Sequence, residues 1–121
     1  MPEQSLAELA SSLREFAAER DWDQFHSPKN LAMALSVEAS ELMELFQWLT
    51  EEQSSALPPE KLQQVREEIG DVLIYLTRLA DKLGIDILAA AFMKMEKNRV
   101  KYQADKAKGS AKNIPNCKSS D

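Results

Sequence analysis

Between Pro59 and Gly84 the chain carries one long apolar seam: Leu62, Val65, Ile69, Val72, Leu76, Leu79 and Leu83, at steps of three and four. That alternation predicts a single amphipathic helix over residues 59–83. Gly84 is placed to stop it in a left-handed cap. Such a helix needs partners for its seam, and three further segments share its period. Residues 5–20 set Leu6, Leu9, Leu13, Phe16 and Ala17 at helical spacing, behind Ser5 and Glu8 in a capping-box arrangement. Residues 27–50 open on Ser27 and Pro28, a serine cap with proline in the first turn. Residues 86–102 place Ile87, Leu88, Ala91, Phe92 and Met95 on one side. No segment reads as a strand, and no repeat of solenoid length is present. The expected fold is all-α, an antiparallel four-helix bundle.

With 121 residues there is enough chain for one domain with a real core and too little for two. Apolar residues at 44% and charged residues at 29% describe a globular protein rather than a disordered one. Only three glycines and five prolines interrupt it, which favours few turns and long elements. The net charge of −5 hides an asymmetry. Residues 1–93 hold 17 acidic against 7 basic side chains, and residues 94–121 hold 8 basic against 3 acidic. From Lys106 onward, "KAKGSAKNIPNCKSSD" lacks an apolar period, so residues 1–105 read as the domain and 106–121 as a flexible polar tail. The single Cys117 excludes an internal disulfide, and no signal-peptide pattern is seen, so a cytoplasmic protein is expected. No apolar run reaches the roughly 18 residues that a membrane span requires. The acidic body argues against a nucleic-acid polymer as partner.

The second helical segment has an anomaly. Leu31, Leu35, Leu42, Leu45 and Leu49 form its seam, and the position where the next leucine belongs is Glu38. Glu41 follows three residues later, one turn along the same face. On the 59–83 segment, Glu68 and Asp71 repeat the spacing. Acidic residues three apart are common on solvated faces, and Glu44, Glu51, Glu52 and Glu67 read that way. Two such pairs on helices that pack together, one interrupting an apolar seam, are different. Their mutual repulsion in a partly buried site costs several kcal/mol unless a cation sits among them. Oxygen-only ligands without cysteine or an ExxH pair suit a hard ion, Mg²⁺ or Mn²⁺, better than zinc or iron.

Two more constellations accompany the carboxylates. Lys94, Asn98 and Lys101 or Tyr102 recur at three- and four-residue steps as a polar stripe that suits a polyphosphate. An ordinary lysine-rich helix end explains that stripe equally well on its own. Trp22, Phe25, His26, Trp48 and Tyr75 lie in or beside the connector and the two carboxylate segments, and flat side chains with polar edges suit a nucleobase. Tyr75 falls one turn beyond Asp71 on the same face. No glycine-rich phosphate loop, zinc spacing or Ser/His/Asp arrangement is present.

The ExxE pair, followed after a loop of this length by ExxD, resembles the MazG-like superfamily of all-α nucleoside triphosphate pyrophosphatases. "FAAERDWDQFHSPKNLAMAL", "EASELMELFQW", "EEIGDVLIYL" and "KMEKNRVKY" look most like its dCTP pyrophosphatase branch, in order and spacing, over residues 6–102. The resemblance implies hydrolysis of a deoxynucleoside triphosphate, dCTP or a modified dCTP, to monophosphate and pyrophosphate in nucleotide-pool clean-up. It implies Mg²⁺ at Glu38, Glu41, Glu68 and Asp71; the chemistry then asks one carboxylate, with Glu41 the first candidate, both to bind metal and to take the proton of the attacking water. By motif position, Trp22, Phe25, His26, Trp48 and Tyr75 would take base and sugar, and Lys94 and Asn98 the phosphates, with Lys101 and Tyr102 of the same stripe as further substrate-binding candidates. It also implies a homo-oligomer, a dimer or a tetramer built from dimers.

Two departures from the branch bear on the base. The chain has "NRVKYQ" where the branch commonly has an arginine-rich run before Tyr-Pro, so Lys101 supplies charge without a bidentate fork. Leu13 stands where some relatives carry a polar residue that reaches the base. Both point to a range of deoxynucleotides broader than cytosine alone. The rival class is a catalytically idle helical oligomer that binds a nucleotide or protein partner. A carboxylate-bridged iron protein is disfavoured by the lack of an ExxH motif.

Overall fold

A computed structural model of the chain describes residues 4–109. Every regular element among them is helical: α1 (Leu6–Glu19), a 3-10 turn (Asp23–Phe25), α2 (Pro28–Glu44), α3 (Glu51–Ser54), α4 (Pro59–Lys82), α5 (Ile87–Lys101) and α6 (Ala104–Ala107). The chain divides after Ile85 into two compact units. The expected tail lies for the most part outside the described residues, as does Cys117.

In the first unit the helix ends form where local chemistry places them. The Ser5 hydroxyl accepts the Glu8 N–H at 3.1 Å, and the Ser27 hydroxyl accepts that of Asn30 at 3.1 Å. α4 stops as its glycine requires. Gly84 takes φ +67°, its N–H donates to the Asp81 carbonyl, and the Ile85 N–H donates to that of Ala80. α1 ends in the same two-bond pattern without a glycine. Asp21 sits at φ +54°, its N–H donates to the Ala18 carbonyl, and the Trp22 N–H donates to that of Ala17. Aspartate tolerates the left-handed region better than most residues. Trp22 is thereby turned back onto α1, edge-on to Phe16 with ring centroids 5.8 Å apart.

α2 is shorter than its apolar period suggests, ending at Glu44 rather than near residue 50. Thr50 explains the break. Its hydroxyl accepts the Gln53 N–H and its own N–H donates to the Gln53 side chain, each at 3.0 Å. That capping box needs Thr50 in an extended conformation (φ −72°, ψ 162°), so a helix cannot run through it. The chain turns between Leu45 and Leu49 and leaves Trp48 87% exposed.

α4 is the hub of the unit, packed most extensively by α2 and also by α1. The core includes Ala17, Leu31, Val65 and Ala80. The long seam of α4 splits into two rows. Val65 is buried and Val72 and Leu79 are half-buried, whereas Leu62, Ile69, Leu76 and Leu83 are exposed. α1 and α2 cover the first row only, because each row repeats every seven residues along its own edge of the helix. Met33 and Val37 of α2 are exposed as well. Gly70 lies inside α4, and a Cβ built there would meet no atom within 4 Å. Gly70→Ala is expected to raise unfolding free energy by about 0.5–1 kcal/mol in urea titrations, through helix propensity alone.

The second unit begins at the Asp86 cap, whose carboxylate accepts the Ala89 N–H at 2.9 Å. α5 sets Leu88, Phe92 and Met95 at steps of three and four, an apolar row that one helix cannot bury by itself. No helix among the described residues is long and apolar enough to cross a membrane.

Candidate active site

The carboxylates of the first unit converge. One oxygen each from Glu38, Glu41 and Glu68 lies within 4.8 Å of the others. Glu38 and Glu41 ride on α2 and Glu68 on α4, and the packing of those two helices brings them together. Glu38 and Glu68 are half-buried, and one oxygen of each is shielded from solvent with no hydrogen-bond partner. Buried polar oxygens are rarely left so. Glu41 is the exposed member of the three. Asp71 stands outside this convergence but close enough for its charge to act on both Glu38 and Glu68.

The electrostatics follow from crowding and burial. Burial first, then the Glu41 carboxyl and the charges of Asp71 and Glu68, push Glu38 up to about 7 from an ordinary 4.5. Glu68 moves the same way, again led by burial and then by Glu41. A carboxyl whose folded value is raised binds more protons folded than unfolded between pH 4.5 and 7. Its contribution to stability therefore grows as pH falls through that window. Without metal, wild type is expected to gain Tm relative to Glu38→Gln between pH 8 and pH 5, measured in EDTA. His26, whose value is lowered by burial and by Arg78, acts in the opposite direction but is common to both proteins and cancels.

The other expected site residues are placed as follows. Trp22 packs on Phe16, and Phe25 is exposed within the connector, where its carbonyl accepts the Asn30 side chain at 3.0 Å. His26 is half-buried and accepts a hydrogen bond at Nδ1 from Arg78 Nε, 3.3 Å away. Tyr75 is half-buried on α4, one turn beyond Asp71. Trp48 stands free on its turn. Lys94 and Asn98 belong to α5 in the second unit, with Lys101 closing that helix and its ammonium 5.3 Å from the Tyr102 ring centroid.

One set of functional candidates escapes the motif reading. Arg78 is only 5% exposed and pairs with Asp23 and Asp81. Lys82 Nζ lies 2.6 Å from the same Asp23 oxygen, and Arg14 of α1 holds Asp81 at 2.8 Å. Lys82, which hydrogen-bonds Asp23, and then Arg78 hold the Asp23 carboxyl below its ordinary range. The signal was present in the sequence as Glu68, Asp71, Tyr75, Arg78 and Lys82, spaced by alternating threes and fours along one helix face.

Comparison with known proteins bears on this arrangement. The chain is 46% identical over 112 residues to dCTP pyrophosphatase 1 of Mus musculus and 43% identical over 113 residues to that of Homo sapiens. These alignments take in 91% and 92% of this chain, which spans 66% of the length of each relative. The crystal structure of a pyrophosphatase from Archaeoglobus fulgidus superposes with a TM-score of 0.78 at 41% identity, covering 85% of this chain and 96% of that one. The MazG-like family model matches residues 33–116, a stretch that contains all four carboxylates, Glu38, Glu41, Glu68 and Asp71. Three converging carboxylates on packed helices, together with these matches, establish that the chain belongs to the MazG-like family.

Proposed function

We propose that this chain hydrolyses deoxynucleoside triphosphates, dCTP or modified dCTP foremost, to monophosphate and pyrophosphate. The observation that carries the reading is the set of paired carboxylates with shielded, unpartnered oxygens on Glu38 and Glu68. Such oxygens suit a hard divalent cation, Mg²⁺ or Mn²⁺, held by Glu38, Glu41, Glu68 and Asp71. When bound, the ion neutralises triphosphate charge and lowers the pKa of a water. Glu41, exposed beside its two half-buried neighbours, is the base that takes the water's proton as the bond between the α and β phosphates is cleaved. Trp22, Phe25, His26, Trp48 and Tyr75 receive base and sugar, and Lys94, Asn98, Lys101 and Tyr102 meet the phosphates. The names of the similar proteins support the substrate class.

The same reading includes an antiparallel four-helix arrangement, assembly as a dimer or a tetramer of dimers, and a cytoplasmic setting. The exposed apolar row of Leu62, Ile69 and Leu76 supports assembly, since a surface of that kind is costly in water. Ile69→Asp is expected to lower the mass measured by light scattering to that of a smaller species. An unchanged mass removes this row from the interface.

The deciding experiment is product analysis with each of the four dNTPs, in Mg²⁺ and in EDTA. Monophosphate and pyrophosphate formed only with metal sustain the reading. Survival of every triphosphate, with one of them raising Tm, makes the protein a binding module instead.

A further inference from the structure

Glu68, Asp71, Tyr75, Arg78 and Lys82 form one polar stripe on α4, acidic at one end and basic at the other. The basic end grips the connector that carries Trp22 and Phe25. Arg78 Nη2 pairs with Asp23 of the 3-10 turn, and Arg78 Nε donates to His26 Nδ1 just beyond it. Lys82 joins at the same Asp23 oxygen. A guanidinium is kept buried only where its donors are matched, and two of its three partners here belong to the connector. Seven residues separate Asp71 from Arg78, a rise of about 10.5 Å along the helix axis. The helix that carries Glu68 and Asp71 thus also fixes where the aromatic connector stands.

We propose that Arg78 is a positioning residue: it clamps the 21–26 connector to α4 and so sets the distance between the base-binding aromatics and the carboxylates. This rests on the reading of Trp22, Phe25 and His26 as part of the nucleotide pocket. Arg78 acts on nucleotide affinity through Asp23 and His26 and leaves the chemical step to the acidic end. Because His26 Nδ1 accepts the Arg78 N–H, the proton of the neutral ring resides on Nε2, and the histidine offers a donor at its other edge.

The test compares wild type with Arg78→Met, which keeps apolar volume, Arg78→Lys, and Asp23→Asn at the exposed end of the clamp. Expected are a KM for dNTP raised about tenfold in Arg78→Met, a smaller rise in Arg78→Lys and Asp23→Asn, and kcat within about threefold of wild type. Binding of Mg²⁺ alone, read by its effect on Tm, stays as in wild type. In a Trp48→Phe background Trp22 is the single tryptophan, and its emission maximum is expected to shift when Arg78→Met is added. An unchanged KM in the folded variants, or a fall in kcat at constant KM, overturns the proposal. If Arg78→Met does not fold, Asp23→Asn decides by the same split. A wild type that hydrolyses no dNTP, while Trp22 still responds to Arg78→Met, overturns the pocket reading and leaves a clamp of structural value only.

Discussion

Under the proposed function, Glu41→Gln is expected to lower dNTP hydrolysis in Mg²⁺ by about 10²–10⁴-fold, the range for loss of a positioned general base. The fold should survive, because Glu41 is exposed and forms no ion pair among the described residues. Glu38→Gln is expected to match that loss of activity and to abolish the rise in Tm expected of wild type in Mg²⁺. In EDTA above pH 7 the same variant should melt higher than wild type. Glu38 is held at about 7 by burial and by its acidic neighbours, so above that value the folded protein carries a charge it would rather lose. One substitution should therefore improve the metal-free fold and remove the function. Calorimetry with and without Mg²⁺, beside turnover measured by pyrophosphate release, checks both halves. A Glu38→Gln protein that keeps turnover and the Mg²⁺ response would remove Glu38 from the site.

Leu31→Ala is expected to cost about 3 kcal/mol, within the range for a buried leucine cut to alanine. Leu31 is 1% exposed at the start of α2, the helix that packs most extensively on α4. The loss combines transfer free energy with a cavity that the helical backbone cannot close. A fold of this size has about 5–15 kcal/mol to lose, so the effect is large. Urea titration followed by circular dichroism measures it, and a cost below about 1 kcal/mol would mean that the α2–α4 contact collapses around the smaller side chain. The substitution lies seven residues before Glu38 on the same helix. Mg²⁺ affinity should fall with it if α2 tilts, and hold if the cavity stays local.

Much of the candidate site was legible because its signals are short-range. The carboxylate pairs are three residues apart and the helices they ride are periodic, so a shared face follows from helix geometry alone. The anomaly at Glu38 was visible as a missing leucine, and its half-buried carboxylate shows why it stands out. The Thr50 break was overlooked because leucines at 42, 45 and 49 sustain a helical period through a turn. There the capping box outweighed periodicity. Arg78 carried no signal of its own in the sequence, since its partner Asp23 lies 55 residues away and no local pattern pairs them.

By itself, the sequence determined the all-α class, the caps at Ser5 and Ser27, the stop at Gly84 and the spacing of the two carboxylate pairs, Glu38 with Glu41 and Glu68 with Asp71. Each of these depends on groups within about five residues of one another, where helix geometry leaves little freedom. The tertiary structure alone decided which half of the α4 seam is covered, that Glu38, Glu41 and Glu68 converge while Asp71 stands apart, and that a buried arginine holds the aromatic connector. Those outcomes depend on which helix faces meet. Contacts of that kind are settled by packing across long sequence separations, where no residue's neighbours along the chain record them.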